Sequence, residues 1–458
     1  MTRTRSGISP LAARLSTYIA GAAKRKLPLE IVERAKIHLV DTIAAMVSGA
    51  RLAPGKKALE HVTALRAKPE AGVVASRFVT SAPDAALANG MCGHADETDD
   101  TIMALRLHPG TCVVPAALAV AEREQLAGTQ VLRAIVLGYD VSARVLLALR
   151  LMALGAHSRH HGGAIGGSFG ATAACAALLG LDARRVRYAL AYAGQNAAGM
   201  YTMLRDSHHV EKAYVLGGMP ARNGVSAALM AAQGFTGVED IFAGVPDFFS
   251  VFSEDPDPGQ LTRALGREYQ ILNCSIKRWS VGAPAQAPLQ VLHELIQQHG
   301  FAASDVTKII ARMPKKQLQV VDNRDMPDIC VQHLLALMLV DGTVTFRSAH
   351  DYARMKDARV LAARKRIEAV GDAKLEDSDR TWRCAMEVTL RDGRTLTHRT
   401  MAARGWFKNP QTRDDMNEKA LDLMGPVLGE RRTRKLLREL WRFDEVQNVR
   451  DLRKLLAA

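Results

Sequence analysis

Residues 27–49 read Leu-Pro-Leu-Glu-Ile-Val-Glu-Arg-Ala-Lys-Ile-His-Leu-Val-Asp-Thr-Ile-Ala-Ala-Met-Val-Ser-Gly. Ile31, Val32, Ala35, Leu39, Ile43, Ala44 and Met46 fall on one side at helical spacing, with Pro28 near the start and Gly49 just past the end. The spacing predicts an amphipathic helix over 28–48. Working outward, Ala- and Leu-rich patterns of the same kind recur at 83–93, 112–126, 130–148, 166–179, 183–199 and 219–233. The first ~270 residues are therefore expected to be almost entirely helical.

The pattern changes after Cys274. A helix over 284–299 is followed by an alternating run at 306–313, a helix near 330–340 and a charged helix over 356–369. Residues 384–390 and 395–401 alternate on either side of Arg391-Asp392-Gly393-Arg394, and Asp-Gly between two such runs is a hairpin signal. These features predict a smaller α+β domain. Helical patterning returns from Asp414, in segments too short to stand alone, so they are expected to pack back on the N-terminal helices and make the larger domain discontinuous. A chain of 458 residues exceeds what one hydrophobic core usually serves, which agrees with two domains.

Composition bounds the function classes. Hydrophobic residues at 48% and charged residues at 24% argue for a packed protein and against disorder. A net charge of +14 with a pI near 9.6 admits nucleic acid or small anions as partners. The basic clusters, Lys24-Arg25-Lys26 and Arg431-Arg432 to Arg434-Lys435, are short and lack interleaved aromatics. They are read as solvated helix ends, and no nucleic-acid partner is expected. The six cysteines contain no C-x-x-C pair and lie mostly in apolar runs, as reduced buried thiols do. No signal-peptide core follows the polar stretch with Arg3 and Arg5, and the apolar run 164–181 is broken by glycines and polar residues. No membrane association and a cytoplasmic location are expected.

Four constellations carry candidate chemistry. His94-Ala95-Asp96-Glu97-Thr98-Asp99-Asp100-Thr101, followed by His108-Pro109-Gly110, packs four carboxylates into five residues. These repel one another unless cations, hydrogen-bond donors or a helix N-terminus meet them. His160-His161-Gly162-Gly163 leads through Gly166-Gly167 towards a helix starting near Ser168. A glycine loop there would offer backbone N–H groups to an anion, although the glycines serve helix packing equally well. The third is His208-His209-Val210-Glu211-Lys212 ahead of Gly217 to Gly224, with Arg222, and the fourth is Lys277-Arg278-Trp279. No H-E-x-x-H or other ligand spacing and no nucleotide fingerprint is present, so neither metal nor organic cofactor is expected.

As an ordered set, these motifs resemble the MmgE/PrpD family of 2-methylcitrate dehydratases and cis-aconitate decarboxylases. The family pattern is His-Ala-x-Asp-x-Asp-Asp-Thr, then His-Pro-Ser/Gly, then a His before a Gly-rich helix start, then a Lys ahead of a Gly-rich helix and a second Lys opening the next domain. Here these are His94 to Thr101, His108-Pro109-Gly110, His161 with Ser168-Phe169-Gly170, Lys212 with Gly218 to Gly224, and Lys277-Arg278-Trp279. Four positions depart from the pattern. Glu97 replaces the first Asp, Gly282 stands where a His or Cys is usual, and His333 stands where a Tyr is usual. Lys212 aligns only with a one-residue offset, with Leu216 in place of a second basic residue.

The resemblance implies a mainly α protein with a smaller α+β domain: an all-helical domain of residues 1–272 and 405–458, and an inserted domain of 273–404. It also implies a homodimer and an active site that draws residues from both domains. The expected activity is a cofactor-free lyase acting on a small di- or tricarboxylate, by dehydration or a related elimination of the 2-methylcitrate dehydratase kind. His161 or His108 would move the proton, with Asp100 and Thr101 orienting these groups or binding a substrate hydroxyl. Lys212, Lys277, Arg278, Arg222, Glu97 and His333 would hold the small anionic carboxylate substrate. The alternatives are epimerisation or isomerisation of a dicarboxylate by the same proton abstraction, and a catalytically silent carboxylate-binding protein.

Overall fold

A computed structural model describes residues 7–151 and 160–458 of the chain; Arg3 and Arg5 lie outside the described residues. The chain divides into two compact units, Met1–Cys274 with Leu423–Ala458, and Ser275–Asp422. Helix dominates the first and a small mixed sheet marks the second.

The first unit is built from α1 (Pro10–Ala20), α2 (Leu29–Gly49), α3 (Ala53–Ala64), α4 (Ala82–Gly93), α5 (Pro109–Glu124), α6 (Gly128–Leu149), α7 (Gly162–Leu178), α8 (Ala183–Gln195), α9 (Val210–Ala213) and α10 (Met219–Ala232). Helix α2 is the one predicted from residues 28–48, with Pro28 as its N-cap. Two-residue strands β1 (Ala71–Gly72) and β2 (Val79–Thr80) pair antiparallel between α3 and α4. Helix α7 is almost wholly buried among α5, α6, α8 and α10. Its Gly-, Ala- and Ser-rich sequence suits that position because small side chains let helices approach closely.

Between α9 and α10 the helix passes through a π-turn, Tyr214–Gly218. A π-turn holds one more residue than an α-turn. Gly217 makes the turn fit: its backbone lies against that of Gly90 on α4, and a Cβ at Gly90 would stand 2.6 Å from the Gly217 carbonyl oxygen. The Leu216 carbonyl accepts hydrogen bonds from Thr111 Oγ1 at 3.1 Å and Cys112 Sγ at 3.0 Å, so α5 helps to fix the turn.

The C-terminal piece of this unit returns to the same core. Gly128 N–H donates to the Val446 carbonyl at 2.8 Å and Val449 N–H to the Leu126 carbonyl at 3.0 Å. The Arg450 guanidinium donates to the Glu122 carbonyl at 2.6 Å, and Lys36 pairs with Asp444 at 2.7 Å. Among the described residues no helix is long and apolar enough to cross a membrane.

In the second unit β3 (Val306–Pro314), β4 (Ile367–Asp372), β5 (Cys384–Leu390) and β6 (Thr395–Thr400) form a sheet in the order β4-β3-β5-β6. Strand β3 runs parallel to β4, with Ile309 opposite Ile367, and antiparallel to β5, with Ala311 opposite Met386. The expected hairpin joins β5 to β6: Gly393 takes φ 87°, and Leu390 N–H donates to the Arg394 carbonyl at 2.8 Å. Cys384, Met386, Val388 and Leu390 are buried, so one face of β5 forms core under the helix Gln286–His299. The charged helix expected over 356–369 is shorter, ending at Arg364, and its last residues are the start of β4. Strand pairing with β3 decides the conformation there, overriding a helix-like charge pattern.

Candidate active site

The acidic segment after α4 resolves its own repulsion, and in doing so it assembles a cluster of imidazoles. Asp96 accepts from Thr98 N–H at 2.9 Å and Thr98 Oγ1 at 2.8 Å. Glu97 is ion-paired with Lys212 of α9. Asp99 Oδ2 accepts from His94 Nδ1 at 2.9 Å and lies the same distance from His108 Nδ1. Asp100 Oδ2 accepts from His38 Nδ1 on α2 at 2.7 Å and Tyr139 Oη on α6 at 2.6 Å, while Oδ1 accepts from Gly110 N–H at 3.0 Å in the first turn of α5. Cations, donors and a helix N-terminus are thus all used, one set for each carboxylate. The bridge between Ile102 and Leu107 closes the loop and sets His108 as N-cap of α5, where its Nδ1 also lies 2.9 Å from the Asp100 carbonyl oxygen.

His161 joins this cluster from α7, whose N-cap it is; its N–H donates to the Gly199 carbonyl at 3.0 Å. The side chain is 4% exposed and its Nδ1 has no hydrogen-bond partner among the described residues. Burial pushes the imidazole down to about 3, and the neighbouring His108, His94, Arg106 and Lys212 add to the effect. The ring packs 4.8 Å from that of Tyr201, whose hydroxyl accepts from Arg106 at 3.2 Å. His160 is exposed and its ring lies against Phe252, so the two adjacent histidines point to different surroundings. The glycines after His161 form the first turns of α7 rather than a loop, and Gly166 and Gly170 pack against α6.

His209 completes the group from the other side. Asp206 caps the turn ahead of α9 by accepting from His208 N–H at 2.9 Å and Glu211 N–H at 2.6 Å. His209 then takes a left-handed conformation, φ 60° and ψ 10°, which turns its ring inward while His208 stays exposed. Its ring lies 5.4 Å from that of His94, it is 8% exposed, and its Nε2 has no hydrogen-bond partner among the described residues. Burial lowers its basicity to about 3, with Lys212 adding and Glu97 opposing. His94 is also shifted downward by burial, against the pull of Asp99.

Among the sequence-selected residues, the first unit brings together His108, His161, Lys212 and Glu97. Asp100 and Thr101 lie beneath them: Asp100 is fully buried with both oxygens bonded, and the Thr101 hydroxyl faces the Met103 sulfur at 3.8 Å. In this arrangement both lie behind the imidazoles, where they can position them. Arg222 is not brought to the cluster; it lies 4.0 Å from Asp84 and lines a separate surface depression with His208, Glu211 and Tyr214. Lys277, Arg278 and His333 belong to the second unit. There Lys277 is buried and the Arg278 guanidinium stacks over Trp279 at 4.9 Å. His333 is fully buried, with no hydrogen-bond partner among the described residues on either ring nitrogen, and its basicity is lowered to about 4 by burial, Arg364 and Arg354. His94, Asp99 and His209 were quoted within motifs but not selected, because nothing local says which member of an Asp-Asp or His-His pair turns inward.

The donor atoms of His94, Asp99 and His108, and those of His94, Glu97 and His209, lie close enough to surround a metal ion. The second set fits a dication poorly because the Lys212 ammonium already occupies Glu97. In the first, both histidines present Nδ1 to one Asp99 oxygen, the geometry of an imidazole–carboxylate hydrogen-bond chain.

Two family models match the chain, the MmgE/PrpD N-terminal domain over residues 13–261 and the MmgE/PrpD C-terminal domain over residues 279–442. The human cis-aconitate decarboxylase is 27% identical over 434 residues, covering 88% of this chain and 85% of its own length. A cis-aconitate decarboxylase-like protein of Aspergillus oryzae is 24% identical over 97% of both chains. The cis-aconitate decarboxylase of Aspergillus terreus is 22% identical over 99% of this chain and 97% of its own.

Proposed function

Since the chain belongs to the MmgE/PrpD family, we propose that it is a lyase of small tricarboxylates, breaking a bond beside a carboxylate by proton transfer at the imidazole cluster of its helical unit. His161 carries this reading: a buried imidazole, neutral near pH 7, with a ring nitrogen that no protein group engages. A neutral imidazole can accept a proton from carbon and return it. Lys212 and Arg106, the cations bearing on it, would lower the cost of the negative charge that accumulates on the substrate as the bond breaks. His108 and His94 share Asp99, which fixes both rings and keeps them within the same field.

Loss of CO2 is the reaction in the names of the relatives, and elimination of water uses the same proton step. A homodimer is part of this reading and is checked by sedimentation. The activity is tested by incubating the protein with cis-aconitate, citrate and 2-methylcitrate in deuterated buffer and following the products by NMR. A lyase releases CO2 or interconverts hydroxy acid and alkene. Deuterium exchange or inversion without fragmentation would instead indicate an epimerase, and binding without any exchange a silent binding protein; either result overturns the proposal.

A further inference from the structure

The cluster is electrically lopsided. The charged groups that act most on His161 are the cations Arg106 and Lys212, whereas on His209 the carboxylates Glu97 and Asp96 act beside Lys212, and a Glu97 oxygen lies within 4.8 Å of a His209 ring nitrogen. A substrate carboxylate suits the first environment. At the second it would be repelled by Glu97 and Asp96, yet His209 Nε2 is left there without a protein partner on a side chain more than nine-tenths buried. Leaving a buried ring nitrogen unsatisfied is unfavourable, and holding a histidine at φ 60° adds backbone strain. Both costs are recovered if a ligand group docks on that nitrogen.

A hydroxyl is the group that fits. It is uncharged, so Glu97 and Asp96 do not repel it, and it can donate to one neighbour while accepting from another. We infer that His209 is a substrate-binding residue that hydrogen-bonds, through Nε2, a hydroxyl of the substrate, and that the preferred tricarboxylate is therefore a hydroxylated one. This rests on the lyase reading above and narrows it to loss or addition of water. The balance is simple: a C–H proton passes to His161, its electron pair forms the double bond, and the C–O bond breaks with the hydroxyl taking one proton from solvent, which the proton then lost by His161 restores, so that the net products are alkene and water. His209, neutral near pH 7 by virtue of its burial, orients that hydroxyl.

The test compares citrate, which bears the hydroxyl, with cis-aconitate, which lacks it. Affinity for each is measured by titration calorimetry, and turnover by NMR, in the wild type, His209→Asn and His209→Gly. Both substitutions tolerate a left-handed backbone, and thermal unfolding checks that each variant is folded. The citrate-to-cis-aconitate affinity ratio should fall about 10-fold in both, the worth of one hydrogen bond to a buried group, and the kcat/KM ratio should follow. An unchanged ratio in folded variants refutes the inference, whether both affinities drop together or neither moves. If the wild type binds citrate but turns over nothing, the lyase reading fails while the affinity ratio still judges His209.

Discussion

Replacing Asp100 by Asn removes one charge and leaves the shape of the side chain almost unchanged, which makes it a clean probe of whether this residue supports the site or reacts in it. The carboxylate takes His38 and Tyr139 on one oxygen and Gly110 N–H on the other. An amide can accept on one side only. With its oxygen kept on Gly110, the NH2 faces two groups that were donors, so two charge-assisted bonds of about 1.5–3 kcal/mol each are lost. Part is offset because a neutral amide is less costly to bury than a carboxylate, leaving about 2–4 kcal/mol. For a protein of 458 residues, whose unfolding entropy is about 1 kcal/mol/K, that lowers Tm by roughly 2–4 °C. Thermal unfolding followed by far-ultraviolet circular dichroism measures the shift, and ligand affinity well below the transition should stay near wild type. An unchanged Tm together with abolished turnover would refute the reasoning and place Asp100 among the reacting groups.

His161→Asn should leave folding and carboxylate binding nearly intact while reducing turnover roughly 10²–10⁴-fold; near-normal turnover would shift the proton-transfer role to His108. Acid should destabilise the helical unit: His161 and His209 stay neutral down to about 3 when folded, whereas the unfolded chain protonates them near 6.5. Unfolding therefore takes up protons between these values, and stability should fall with decreasing pH from about 6.5, by about 1.4 kcal/mol per pH unit for each histidine. Denaturant midpoints across that range check the slope, and a flat profile would contradict the burial of both rings. Gly217→Ala drives a Cβ into the Gly90 backbone and should cost about 1–3 kcal/mol, with Lys212 and His209 displaced and kcat reduced. Dialysis against a chelator should leave activity unchanged; loss restored by a divalent ion would revive the metal reading of His94, Glu97 and His209.

The parts of the fold legible in the sequence were those whose signal is local. Pro28 and the spacing from Ile31 to Met46 mark α2, and Asp392-Gly393 between alternating runs marks the β5–β6 hairpin. Strand β4 was not legible because Glu368 and its charged surroundings resemble a helix surface, and only pairing with β3 makes them a strand. The site divides in the same way. The need of four crowded carboxylates for partners follows from charge alone, but the partners themselves come from α2, α6 and α9, as far as 115 residues away in the case of Lys212 and Glu97. Hence the partners that Asp100 takes in its orienting role could not be named from the sequence, and His209 looked secondary although a left-handed turn aims it inward. The glycines after His161 were ambiguous between anion loop and packing surface, and burial by α6 and the surrounding helices settled them as packing.

The return of residues 423–458 to the helical unit also sets an order of events during synthesis. Until they emerge from the ribosome, Glu122 lacks Arg453, Lys36 lacks Asp444, and the Gly128 N–H lacks the Val446 carbonyl. At 5–20 residues per second, the stretch Ser275–Ala458 takes on the order of 10 to 40 s to make. For that interval the nascent helices stand complete in sequence but open on one side, with the histidine cluster encoded and the buttress of α5 and α6 still missing. Residues 423–458 thus act as a latch on a site specified hundreds of residues earlier, and removing them should loosen the helices that carry that site.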